Sequence, residues 1–160
     1  MKYIYIIIIA SVLMSCNKKS SDVEEQYNLD VGFEFSIVNT QNQDLLDTIT
    51  ENHYLESEIK LFYLVNGILE EPNNPQYDHP RNFNIYLHQN EYRIGLSMNH
   101  NDPSDKTTTF IHWNDNDVDT LETSLNRTNN AIQKRKVWLN GVLIWDWTTN
   151  EEGYFQIVKN

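Results

Sequence analysis

Val31, Phe33, Phe35 and Ile37 alternate with Gly32, Glu34 and Ser36. A period of two is what a strand with one buried face requires. The alternation returns in Ile59, Leu61, Tyr63 and Val65 and stops at Asn66-Gly67. Asn-Gly between apolar runs is a strong hairpin signal, because a type I′ turn needs positive φ at both central positions. The same dipeptide recurs at Asn140-Gly141, between KRKVWL and VLIWDW. Phe83, Ile85 and Leu87 precede Gln89-Asn90-Glu91, and Tyr92, Ile94, Leu96 and Met98 follow it. TTTFIHW and VDTLETSL likewise flank Asn114-Asp115-Asn116, so both stretches read as further hairpins. GYFQIVK closes the chain as a last strand. No segment sustains the apolar period of a helix, and no long helix is expected. Nine or ten short strands predict an all-β chain, an antiparallel β-sandwich with barrel-like closure as the variant.

The longest irregular stretches are 39–57 and 72–82. The second, PNNPQYDHPRN, holds three of the four prolines and cannot be a central strand. Loops of this length in a small domain are functional or mobile. Tyr77, His79 and Arg81, with Asp78, are therefore candidate ligand-binding residues.

The N-terminus carries a different message. Lys2 precedes twelve mostly apolar residues, Tyr3 to Met14. A spanning helix needs about 20 apolar residues, so the run suits the apolar region of a signal peptide. It ends in Leu13-Met14-Ser15-Cys16, which resembles the lipobox of bacterial lipoproteins. The resemblance implies cleavage after Ser15, acylation at Cys16, and an outer-membrane anchor, since Asn17 stands where Asp often signals inner-membrane retention. Cys16 is the only cysteine, so no internal disulfide is possible. The expected organisation is a signal peptide over 1–15, a lipidated cysteine and flexible tether over 16–30, and a β-sandwich over 31–160. The periplasmic and cell-surface faces of the membrane are both open.

Losing Lys2 takes the side-chain net charge from −11 to −12. An acidic surface repels phosphate backbones, which are bound by Lys and Arg. The one basic cluster, Lys134-Arg135-Lys136, has no second basic stripe beside it, so no nucleic-acid partner is expected.

Catalytic signatures are missing. His-Glu-x-x-His, phosphate-cradling glycine loops and cysteine metal patterns do not occur, and five glycines leave little room for nucleotide motifs. No catalytic residue, cofactor or metal site is assigned, and the chain is read as non-enzymatic. Asp115, Asp117 and Asp119 match the first three ligand positions of a calcium loop. Thr120 then replaces the turn glycine and Asn126 the bidentate glutamate, so an Asx-rich turn competes with a divalent site. His88, His100 and His112 recur every twelve residues, and read as ordinary surface histidines ahead of metal ligands. Trp138, Trp145 and Trp147 cluster on one hairpin, with Trp113 elsewhere. Alternation puts Trp145 and Trp147 on one face and Asp146 opposite. An exposed pair of indoles would form a platform for sugars, whereas core packing is the ordinary fate of tryptophan in a β domain.

Asp47-Thr48-Ile49 and Asp119-Thr120-Leu121 resemble the O-glycosylation acceptor of exported Bacteroidetes proteins, which implies glycans on Thr48 and Thr120. With the lipobox, tether and β domain, the chain resembles outer-membrane lipoproteins of Bacteroidetes. That resemblance implies membrane attachment through lipid and no established activity. The expected function is an interaction or structural module of the cell envelope with a protein partner. A carbohydrate-binding module using Trp145 and Trp147 is the alternative.

Overall fold

A computed structural model of the 160-residue chain describes residues 27–149 and 152–160. The expected signal peptide, Cys16 and most of the expected tether lie outside the described residues. Eleven strands and no helix occur among the described residues: β1 (Asn28–Asp30), β2 (Gly32–Asn39), β3 (Lys60–Val65), β4 (Ile68–Glu70), β5 (Phe83–His88), β6 (Glu91–Ser97), β7 (Lys106–Asn114), β8 (Asp117–Thr128), β9 (Ala131–Leu139), β10 (Val142–Asp146) and β11 (Tyr154–Lys159).

The strands form two sheets. The larger runs β1-β9-β8-β7-β3-β4, with β10 also paired to β9, and the smaller runs β11-β2-β6-β5. Phe33, Phe35 and Ile37 of β2 and Ile94 and Leu96 of β6 meet Leu61, Tyr63, Ile111, Trp113, Leu121 and Val137 of the larger sheet in one buried cluster. Fully burying such a side chain contributes about 1.5–3 kcal/mol, so the period-two residues hold the sandwich together. It is a β-sandwich, not a closed barrel.

Two pairings differ from the expected antiparallel pattern. β1 pairs with β9 and β11 with β2, both in parallel. Each parallel strand lies at the edge of its sheet and near an end of the domain, where neither partner is joined to it by a hairpin. β1 also begins the domain at Asn28, inside the stretch read as tether. Asn28, Leu29 and Asp30 are all exposed, so backbone pairing rather than an apolar face puts them in the sheet.

The turns follow their sequences closely. Asn66 and Gly67 adopt φ of 50° and 81°, and Asn140 and Gly141 adopt 51° and 80°, the left-handed pair that a type I′ hairpin demands. The β5–β6 loop is shorter than expected. His88 pairs with Glu91, leaving Gln89 and Asn90 as the turn, with Gln89 at φ 55°.

β-bulges re-aim side chains around β9. Leu143 pairs with Trp138 and Trp145 with Val137, so Ile144 is the extra residue of a bulge. Bulges reverse which face a following residue occupies. Trp145 thereby enters the core, 5% exposed, with its ring 6.2 Å from Phe33 in an edge-on contact.

Candidate functional site

The outer face of the smaller sheet forms the floor of the main concavity. One row crosses all four strands: Tyr154 pairs with Glu34, Glu34 with Gly95, and Gly95 with Asn84. These are the polar positions of the alternation, which water would cover if nothing stood above them. The proline-rich loop supplies a wall, and together they enclose a groove of ≈1260 Å³ that Tyr77, Asp78, His79 and the floor residues line. Carboxamides are unusually frequent in it: Asn73, Asn74, Gln76, Asn82, Asn84 and Asn101 all contribute.

Gly95 makes room for its neighbours in the floor. A Cβ there would lie 3.2 Å from Asn84 Oδ1 and 3.5 Å from Tyr86 Cε1. Glycine weakens a strand interior, and here the groups that approach the backbone closely are the Asn84 and Tyr86 side chains.

The floor's charges are mutually committed. Arg93 Nη1 donates to Glu34 Oε2 at 3.2 Å, and its Nε donates to Glu91 Oε1 at 2.7 Å. Its guanidinium lies 4.0 Å from the Tyr154 ring centroid. The Tyr154 hydroxyl donates to Glu91 Oε2 at 3.2 Å and shares a 2.7 Å hydrogen bond with Ser36 Oγ. Burial opposes the charge on Arg93, but its bonds to Glu91 and Glu34 outweigh that and hold it protonated more firmly than usual. Partial burial, and then Glu34 beside it, push the Tyr86 hydroxyl up to about 12. The result is a fixed set of donors and acceptors, pre-organised before any ligand arrives.

The wall is equally fixed. Asn74 N donates to Pro80 O at 2.9 Å, and Tyr77 N donates to Asn74 O at 3.1 Å, folding the loop on itself. Arg81 anchors its base. The guanidinium donates to Glu56 O at 2.9 Å, pairs with Glu56 at 3.2 Å and covers the Phe83 ring at 4.5 Å. Arg81 therefore braces the base of the loop and is not among the residues that line the groove. Tyr77 and His79 do line the groove.

The other sequence candidates separate. Trp145 joins the core cluster and packs on Phe33 of the opposite sheet, whereas Trp147 does not join it. Trp147 follows the end of β10, is 53% exposed, and holds the Arg135 guanidinium 4.2 Å from its ring centroid. Burial of Trp145 means that the two indoles do not form an exposed platform. His88 and His100 line the groove, while His112 packs edge-on against Phe62 at 4.7 Å. Among the described residues, no group of three or more His, Cys, Asp or Glu is placed to hold a metal ion.

The acidic turn holds a cation from the protein itself. Lys159 Nζ lies 2.7 Å from Asp117 Oδ1 and 2.8 Å from Asp119 Oδ2. Trp113 Nε1 and Asn140 Nδ2 complete Asp119, each donating at 2.7 Å. Asp115 stays out of this cluster as an exposed residue of the turn. Thr48 stands exposed in a turn beside Ile49, which is 88% exposed. Thr120, in contrast, is half-buried within β8, with both backbone groups bonded to Asn140.

Glu34, Arg93, Gly95 and Tyr154 were not picked out from the sequence. The interior glycine of β6 was the available signal; the pairing that brings Tyr154 beside Glu34 spans 120 positions and leaves no local trace. No protein-family model, curated protein or solved structure matches this chain.

Proposed function

We propose that this chain is a non-enzymatic binding module of the cell envelope, anchored to the outer membrane through lipid on Cys16, whose groove takes a neutral glycan. The observation that carries the reading is the groove itself. It combines a glycine in the floor with the Asn84 side chain beside it, tyrosine rings from the floor and the wall, and further carboxamides. Carboxamides offer donor and acceptor side by side, which matches vicinal hydroxyls, and tyrosine offers a rigid ring with a polar tip. Glu34 and Glu91 are both engaged by Arg93, which suits recognition better than proton transfer. A chain with net charge −11 favours uncharged over anionic polymers. Of the two glycosylation motifs, the exposed turn supports Thr48 over Thr120.

A glycan array probed with the full chain in detergent tests this reading. Binding to neutral saccharides that Gly95→Leu abolishes supports it; equal binding by both proteins refutes it. A second reading keeps an envelope protein as the partner and uses the outer face of the larger sheet. There Phe62 pairs with Phe110, and Leu69, Leu64, Thr108, Glu122, Trp138 and Leu143 lie along one row.

A further inference from the structure

We propose that the ligand is a glycan chain rather than a single sugar, and that it leaves the groove across the Asp30–Lys134 ion pair to stack on Trp147. The inference rests on the glycan reading of the groove and extends it to a second subsite. Lys134 lines the groove, and Asp30, bonded to it, lines a second hollow of ≈680 Å³. The two hollows therefore meet at one ion pair. Glu152 and Gly153 face the first, and Thr148 faces the second.

The second hollow has the parts of a sugar subsite. Trp147 is 53% exposed, so part of its indole stays open beside the Arg135 guanidinium. Its position is set in advance: Trp147 N donates to Arg135 O at 3.0 Å, and Arg135, braced by Gln133 Oε1 at 3.1 Å, stacks on the ring. A ring already immobilised loses little conformational freedom when it binds. Trp145 contributes to the same hollow while 5% exposed, and its Nε1 is a buried donor without a hydrogen-bond partner among the described residues.

Size points the same way. Pockets for small ligands run to about 300–1,000 Å³, and the groove alone exceeds that range at ≈1260 Å³. An oligomer fills both hollows; a monosaccharide fills neither.

Calorimetric titration of the full chain in detergent with a length series of neutral oligosaccharides, from monosaccharide to octasaccharide, tests the proposal. The glucan, mannan, xylan and N-acetylglucosamine series serve as probes. Affinity is expected to climb with length beyond the disaccharide. Trp147→Ala is expected to remove about tenfold from the long oligomers, the scale of one aromatic anchor, and nothing from the disaccharide. Gly95→Leu removes binding at every length. Affinity that is flat with length and indifferent to Trp147→Ala overturns the chain proposal and leaves the groove reading standing. Failure of every saccharide to bind, or preference for an extended peptide, overturns both.

Discussion

Lys159 on β11 places its ammonium 2.8 Å from Asp119 Oδ2 on β8, with side-chain exposures of only 16% and 7%. β11 belongs to the smaller sheet and β8 to the larger, so this ion pair ties the two layers at one end of the sandwich. Tyr54 joins the cluster by donating to Asp117 Oδ2 at 2.5 Å and packing its ring 5.6 Å from Trp113. Lys159→Met leaves Asp119 buried without its counter-charge. Breaking a buried pair this way costs about 3–5 kcal/mol, and the low end applies because Trp113 and Asn140 still donate to the carboxylate. Urea unfolding measures the loss, and Asp119→Asn in the same background should recover part of it. With Lys159 in the cation's place, millimolar calcium should leave the wild-type Tm unchanged, whereas a ligand of the folded state would raise it.

Acid stability follows from three carboxylates held below their usual range, Asp119, Asp146 and Asp102, the last by hydrogen bonds from Ser104 and the Asn66 backbone. The bonds to Lys159, Asn140 and Trp113 outweigh burial and hold Asp119 below the usual range. The Thr148 backbone and hydroxyl, then Lys136, hold Asp146 at about 2. A carboxyl with a depressed folded pKa contributes stability that is fully present above its unfolded value, near 4, and lost as pH falls through the folded one. Stability should therefore decline between about pH 4 and 2, and Asp146→Asn should flatten that decline. Urea midpoints across the interval decide; an unchanged slope in Asp146→Asn would remove Asp146 from the explanation.

Much of the fold was legible because alternation and turn chemistry are local. Val31 to Ile37, Ile59 to Val65 and both Asn-Gly turns needed no information from elsewhere in the chain. The parallel edges were not legible. Asn28 to Asp30 carry no apolar face, and β11 joins β2 from the far end of the sequence. The site was half legible: prolines and length marked the wall at 72–82, whereas the contacts of Arg81 with Glu56 and Phe83 left no local trace. The acidic stretch was legible as an Asx-rich turn, but its ion-pair partner Lys159 lies 40 residues beyond Asp119.

Tryptophan emission should divide by burial. Trp113 and Trp145 are buried at 0% and 5% exposure, Trp138 is half-buried beneath the Lys106 ammonium, and Trp147 is 53% exposed. Trp147→Phe should remove the largest share of the acrylamide-quenchable, red-shifted emission, leaving Trp138 as the smaller quenchable part and Trp113 and Trp145 as the blue-shifted part. If Trp145→Phe removed the largest quenchable share instead, the bulge at Ile144 would be misplaced.

The proposed lipidation is at Cys16, before the sandwich. Several acyl chains there would hold the protein to a bilayer far more firmly than one, at about 0.8 kcal/mol per buried CH₂. Expression in a Gram-negative host with an alkyne-tagged palmitate should label the wild-type chain and leave Cys16→Ser unlabelled and free of the membrane fraction. Equal labelling of both would end the lipoprotein reading.

The most direct measurement is an amide chemical-shift map of the isotope-labelled chain titrated with the strongest glycan from the array. The account predicts shifts concentrated at Gly95, Asn84, Glu34 and Tyr77, continuing to Trp147 as the saccharide lengthens. Shifts confined to Phe62, Phe110 and Trp138 would contradict it and move the binding surface to the opposite face of the sandwich.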